Sequence, residues 1–250
     1  MPPRKKTTKS PGQGMTAKQK KRRKPINEEY MIPVEPLTHN QKLFFDEWEK
    51  GQMIYAYGVA GTGKTFIALY KALKDVLNEY TPYEKIYIVR SLVATREIGF
   101  LPGDHEDKSS LYQIPYKNMV QSMFEMPDDA SYEMLYDNLK AQETVSFWST
   151  SFIRGTTLDN AIVIIDECQN LNFHELDSII TRVGQDSKII FCGDAAQTDL
   201  QKISERTGII DFQRILQKMD EFSLIEFGID DIVRSGLVKS YLINKINLGL

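Results

Sequence analysis

Residues 58–65 read Gly58-Val59-Ala60-Gly61-Thr62-Gly63-Lys64-Thr65, a full match to the phosphate-loop pattern G-x-x-x-x-G-K-[ST]. The flanks carry as much weight as the string. Gln52 to Tyr57 before it is an apolar run of strand length. After it, Phe66, Leu69, Tyr70, Leu73, Val76, Leu77 and Tyr80 recur at helical spacing. A strand, a glycine-rich turn and a helix let backbone N–H groups converge on an anion at the positive end of the helix dipole. The whole stretch Gly58, Val59, Ala60, Gly61, Thr62, Gly63, Lys64 and Thr65 is therefore expected to cradle a nucleoside triphosphate. Lys64 is expected to reach its β- and γ-phosphates, and the Thr65 hydroxyl to take a place on Mg²⁺.

Composition sets the outer bounds. The chain has 250 residues, 42% hydrophobic and 26% charged, as expected of a globular protein able to bury a sizeable core. No apolar run approaches the ~20 residues of a membrane span, and no secretory signal is expected at the N-terminus. Cys168 and Cys192 have no metal-ligand spacing, which predicts free thiols and a cytoplasmic location. The net charge of −3 is unevenly spread, because residues 1–24 hold ten Lys or Arg and no acid. Without them the body carries 21 basic against 34 acidic residues. A basic arm on an acidic body is suited to electrostatic attachment to nucleic acid. Residues 1–30, rich in Pro, Gly, Ser, Thr and Lys, are expected to be a disordered arm.

Beyond the arm, Thr38 has the look of a helix N-cap. Gln41, just inside that helix, could pair its amide with adenine and so set a preference for ATP. Strands are expected at Lys85–Arg90, Thr144–Ser149, Ala161–Ile165, Lys188–Cys192 and Ser223–Phe227. Residues 105–143 read as mostly helical, interrupted at Pro115 and Pro127, with Met and Tyr at core-packing spacing. The run Ala161-Ile162-Val163-Ile164-Ile165 is continuous and β-branched, as a parallel strand buried on both faces requires. It delivers Asp166 and Glu167 at its carboxyl end, where α/β sheets bind ligands. Asp166 is the candidate to share Mg²⁺ with Thr65, and Glu167 to orient and deprotonate a water. Gln197, after the next strand, could sense the γ-phosphate.

Together these motifs resemble the PhoH family, phosphate-starvation-inducible ATPases whose core is similar to the first half of a superfamily 1 helicase. The matching stretches are Thr38–Gln41, Gly58–Thr65, Val89–Gly103, Phe152–Gly155, Ile164–Asn170, Gly193–Asp199 and Asp230–Arg234. The resemblance implies an α/β, RecA-like P-loop NTPase domain over residues 31–250, with a mostly parallel central sheet and 105–143 as a helical insertion. It implies Mg²⁺-dependent ATP hydrolysis coupled to binding, translocation or remodelling of nucleic acid, with RNA placed first and single-stranded DNA left open. The chain is expected to end before a second motor domain, so the arginine that stabilises the transferring phosphoryl should come from a neighbouring subunit. A hexameric homo-oligomeric ring follows from that logic and from the family. Arg234 is the first choice for the arginine, with Arg206 and Arg154 as alternatives. Two competing readings keep the loop: an ATP-binding switch or scaffold without unwinding activity, and a small-molecule kinase.

Overall fold

The computed structural model describes residues 26, 28–90, 105–153, 155–194 and 203–248. Six strands form one sheet: β1 (Met53–Gly58), β2 (Lys85–Arg90), β3 (Val145–Ser149), β4 (Ala161–Asp166), β5 (Lys188–Gly193) and β6 (Phe222–Phe227). Their order across the sheet is β3-β2-β4-β5-β1-β6, and every pairing is parallel. The longer helices are α1 (His39–Glu49), α2 (Lys64–Leu77), α3 (His105–Ser122) and α4 (Asp129–Ala141) in the first half. The short α5 (Thr150–Ile153) precedes α6 (Phe173–Ile180), α7 (Ile203–Leu216) and α8 (Gly236–Asn247). This is the RecA-like α/β architecture.

The side-chain alternation of the strands explains why helices cover both faces. On β4, Ile162 and Ile164 join one core with Ile54, Ile88 and Ile190, beneath Phe44 and Trp48 of α1 and Leu69 and Leu73 of α2. Val163 and Ile165 join the other, with Tyr55 and Phe191, beneath Leu176 and Ile179 of α6 and Phe212 and Leu216 of α7. All six residues of β4 and of β5 are buried, as strands covered on both faces must be.

The sequence places breaks at both Pro115 and Pro127. The structure carries α3 through Pro115 and interrupts the helices only between Ser122 and Asp129. A proline inside a helix costs about 3 kcal/mol. Here that is offset by the core face following it, where Tyr116, Val120 and Met123 are buried. Tyr132 and Tyr136 of α4 are buried too, which agrees with reading this stretch as core, while Met134 is exposed. Thr38 does cap α1, its side chain accepting from the Gln41 amide. The Gly99–Gly103 turn lies outside the described residues.

At the amino ends of the strands, Lys188 is buried against α1. Its Nζ donates to the Trp48 carbonyl at 3.0 Å and stands 4.4 Å from the Trp48 ring centroid. The Trp48 indole N–H in turn donates to Asp75 at 2.9 Å. Burial lowers the Lys188 pKa from 10.5 to about 8, against the opposing pull of Asp75. An unfolded chain therefore binds more protons than the fold between pH 8 and 10.5, so this group's contribution to stability rises with pH across that window, by about 3 kcal/mol. Denaturant unfolding of the wild type and Lys188→Met at pH 7 and pH 10 checks it. The stability difference between them is expected to move in favour of the wild type at the higher pH, and a constant difference rejects the shift.

Candidate active site

The sheet order puts β5 between β1 and β4, so the turn after β1 and the acids ending β4 flank one strand. Arg90 ends β2 directly opposite Asp166, and Asp194 follows β5. All of these sit at the carboxyl ends of parallel strands, and they line one cleft of about 320 Å³. Its wall also includes residues 60–66, Pro115, Tyr116 and Met119 of α3, and Arg234.

Close contact with β6 shapes the loop. Val59 N–H donates to the Phe227 carbonyl at 2.9 Å, and a Cβ at Gly58 would stand 2.2 Å from that same oxygen. Gly58 also has φ +114, so only glycine fits there. Lys64 folds back into its own loop, donating to the carbonyls of Gly58 at 3.1 Å and Val59 at 2.7 Å. Burial pushes its pKa below the ordinary lysine value, opposed by Cys192 and by the acids Asp194, Glu167 and Asp166. An ammonium held by two neutral carbonyls among carboxylates is ready to exchange those partners for phosphate oxygens.

Thr65 Oγ1 donates to Asp166 Oδ1 at 2.6 Å, across 101 residues of chain. A hydroxyl and a carboxylate side by side at the phosphate loop are the hard oxygen donors that suit Mg²⁺, which pairs one or two carboxylates with substrate phosphates. The residues present fit the ion. The other Asp166 oxygen accepts from the buried Tyr116 hydroxyl at 2.6 Å. Burial and the Asp166 charge both raise the Tyr116 pKa, so the phenol keeps its proton. Burial opposes the charge of Arg90, but the Asp166 and Glu167 carboxylates beside it raise its pKa above the ordinary arginine value.

Glu167 has left-handed backbone geometry with φ 52, which turns its carboxylate out of the strand line. Its Oε2 accepts from Gln169 Nε2 at 2.6 Å, while Gln169 Oε1 accepts from the Asp194 amide at 2.9 Å. One amide thus ties the ends of β4 and β5 together. Gln197 lies outside the described residues.

Gln41 is 3% exposed, and the protein backbone occupies both ends of its amide. Its Oε1 accepts from the Leu37 amide at 2.8 Å, and its Nε2 donates to the Thr62 carbonyl at 2.9 Å. In this geometry Gln41 braces the loop from behind. Reading adenine would require exchanging bonds it already makes. Arg234 lies in the cleft of its own chain: Val233 N–H donates to the Gly61 carbonyl at 3.1 Å, and a Cβ at Gly61 would meet Arg234 Cγ at 2.9 Å. Asp231 secures this turn by accepting from Asn40 Nδ2 at 2.7 Å and the Gly228 amide at 2.9 Å. Burial alone would raise the Asp231 pKa, but hydrogen bonds from Thr38, Asn40 and Gly228 hold it below the ordinary value. Arg154 and the Arg206 side chain lie outside the described residues.

Arg90 and Tyr116 line the cleft without a site role assigned from sequence. Arg90 could have been found by the rule that found Asp166, since it is a polar residue ending an apolar strand. Tyr116 carries no local signal, because its partner is 50 residues away. The cysteines are free and buried, and burial raises both thiol pKa values, Cys168 and Cys192 alike. No described helix is long and apolar enough to cross a membrane.

Comparison with known proteins places this geometry in context. The family profile described as PhoH-like protein matches residues 33–244. The PhoH-like protein of Bacillus subtilis is 32% identical over 210 residues, covering 80% of this chain and 60% of that protein. That of Mycobacterium leprae is 31% identical over 206 residues, covering 82% and 56%. Protein PhoH of Escherichia coli is 32% identical over 196 residues, covering 78% and 53%. The chain therefore spans between 53% and 60% of the length of these relatives. Among solved structures, the large terminase of a thermophilic bacteriophage in complex with ADP matches with TM-score 0.49 and 15% identity, covering 82% of this chain and 49% of that one. Unliganded Pif1 from Bacteroides sp matches with TM-score 0.39 and 17% identity, covering 86% and 45%.

Proposed function

The chain belongs to the PhoH-like family, and from that premise we propose that it is a Mg²⁺-dependent ATPase coupling hydrolysis to binding and remodelling of RNA or single-stranded DNA. One observation carries the reading. Lys64 and Thr65, Asp166 and Glu167, and Arg234, from three separate places in the chain, line a single cleft at the carboxyl ends of the strands. The nucleic-acid part is supported by the ten basic residues within 1–24, on a body that is otherwise acidic.

In this reading the 58–63 backbone wraps the phosphates and Lys64 moves from the Gly58 and Val59 carbonyls to their oxygens. Thr65 and Asp166 would hold Mg²⁺, which would supply positive charge against the phosphates. Glu167, steadied by Gln169, accepts a proton from water as its oxygen attacks the γ-phosphorus and the bond to the β-phosphate oxygen breaks. Gln197 monitors the γ-phosphate, and Gln41 supports the loop on which an adenine nucleotide rests. A glutamate aimed at water suits hydrolysis better than transfer to a small-molecule acceptor.

For Arg234 a second assignment stands beside supply by a neighbouring subunit. Each chain already holds this arginine against its own phosphate loop, so charge on the transferring phosphoryl can be stabilised in cis. A hexameric homo-oligomer that tracks the polymer in the cytoplasm stays part of this reading, and a mixing experiment decides which subunit supplies the arginine. Arg234→Ala is expected to lower kcat about 10²- to 10³-fold while leaving ATP binding within a few-fold. Mixing Arg234→Ala with Lys64→Ala subunits should restore no activity, whereas recovery in the mixture shows that the arginine acts on a neighbour. The function itself is tested by measuring ATP hydrolysis against protein concentration, with and without single-stranded RNA and DNA. Stimulation by one polymer supports the coupled ATPase and identifies its track. A slow rate indifferent to both polymers favours a nucleotide switch and rejects the coupling.

A further inference from the structure

We propose that Tyr116 is a positioning residue that holds the outer oxygen of Asp166, and so links the seating of α3 to metal binding by that carboxylate. The inference rests on the reading of Thr65 and Asp166 as the Mg²⁺ site. Asp166 is 7% exposed, and its two oxygens have separate partners. Oδ1 faces Thr65 at 2.6 Å, on the phosphate-loop side, and Oδ2 accepts from Tyr116 at 2.6 Å, on the α3 side. Fixing one oxygen fixes the plane of the carboxylate, and with it the direction in which the other presents its lone pairs. Outer hydrogen bonds of this kind orient ligating carboxylates in metal sites.

The neighbouring tyrosines do not share this contact. Tyr132, equally buried, donates to the backbone carbonyl of Lys117 at 2.5 Å. The Tyr136 hydroxyl is buried with no hydrogen-bond partner among the described residues. Of the three, Tyr116 alone lines the cleft, flanked on α3 by Pro115 and Met119. Its ring is fixed against Phe147 of β3, with centroids 5.3 Å apart. Arg90, opposite Asp166 in the strand register, lines the same cleft. Pro115 has no N–H to give to the helix ladder, so α3 is least tightly bonded next to Tyr116. The bond to Asp166 ties α3 to the end of β4 beside that gap in the ladder.

Coupling between two events is reciprocal. If a seated α3 helps Asp166 receive the metal, the bound metal must help seat α3. The pair can be tested in the full chain by titrating Mg²⁺ against binding of a fluorescent ATP analogue, beside amide hydrogen exchange in α3. Tyr116→Phe keeps the ring and removes only the oxygen. It is expected to raise the Mg²⁺ needed for half-maximal tightening about tenfold, leave metal-free nucleotide affinity unchanged, and abolish the slowing of α3 exchange by Mg²⁺ and nucleotide. Tyr136→Phe, losing an unpartnered hydroxyl, should change none of these. An unchanged Mg²⁺ requirement in Tyr116→Phe, or equal slowing of α3 exchange in variant and wild type, overturns the proposal. Asp166→Asn separates the two levels. If it shifts the Mg²⁺ requirement and Tyr116→Phe does not, only the role of Tyr116 is refuted. If Asp166→Asn behaves as wild type, the metal site is misread and the coupling falls with it.

Discussion

Lys64→Ala is expected to reduce ATP hydrolysis at least 10³-fold, to the background of the assay, a loss of about 4 kcal/mol or more in transition-state stabilisation. The magnitude follows from where the ammonium sits. Lys64 is 8% exposed, and its Nζ reaches the Gly58 and Val59 carbonyls inside the loop that should enclose the phosphates. No other described lysine lines the cleft. Burial has already removed much of its hydration, as its lowered pKa shows, so less solvation is lost when phosphate replaces the carbonyls. Lys64→Arg should fail nearly as badly, because a planar guanidinium cannot take the place of a compact point charge on a four-carbon stem. The fold should survive both changes, since the freed carbonyls face the cleft and can bond water. The check is steady-state hydrolysis with saturating Mg²⁺ and ATP, with circular dichroism confirming that each variant is folded. Residual turnover within tenfold of wild type in Lys64→Ala would remove the loop from the catalytic account.

The parts of this fold that were legible in the sequence are those whose cause is local. A continuous β-branched run buried on both faces can only be an inner parallel strand, and β4 is one, with all six residues buried. Thr38 as a cap depends on a contact three residues away, which spacing alone reveals. Proline misled because its cost is local while its compensation is not. Pro115 is carried inside α3 by a core face that packs under distant strands. The same limit applies within the site. Asp166 could be chosen from its position at a strand end, but its two partners, Thr65 and Tyr116, are 101 and 50 residues away. Gln41 could be seen to lie near the loop, but not that Leu37 and Thr62 would take both ends of its amide. Arg234 was chosen by family position and assigned to a neighbouring subunit. That Val233 and Arg234 approach Gly61 from the far end of the chain is a tertiary contact no local pattern reveals.

Glu167→Gln should separate binding from chemistry where Lys64→Ala removes both. The substitution preserves shape and replaces one carboxylate oxygen with an amide that cannot accept the proton of an attacking water. Loss of a general base typically costs 10²- to 10⁴-fold in rate, and kcat is expected to fall within that range with ATP affinity changed less than threefold. Glu167 is held by its backbone and by one side-chain partner. Its φ of 52 places a non-glycine residue in the left-handed region, at a cost on the order of 1 kcal/mol. That geometry is kept although the 3₁₀ turn of Cys168–Asn170 begins immediately after it. Gln169 then anchors one carboxylate oxygen at 2.6 Å and is itself anchored by the Asp194 amide. A glutamine at 167 can still accept the Gln169 N–H through its carbonyl oxygen, so the scaffold should remain and only proton acceptance should be lost. The variant should therefore bind ATP and hold it, and the chain should stay in whatever nucleic-acid affinity state ATP confers. Single-turnover hydrolysis and equilibrium ATP binding, measured on the same preparation, decide the matter. A kcat within threefold of wild type would mean that water is activated elsewhere and that the Glu167–Gln169–Asp194 connection is structural. A large fall with unchanged binding makes the acid ending β4 the base, and gives a trapped complex in which the polymer track can be measured without turnover.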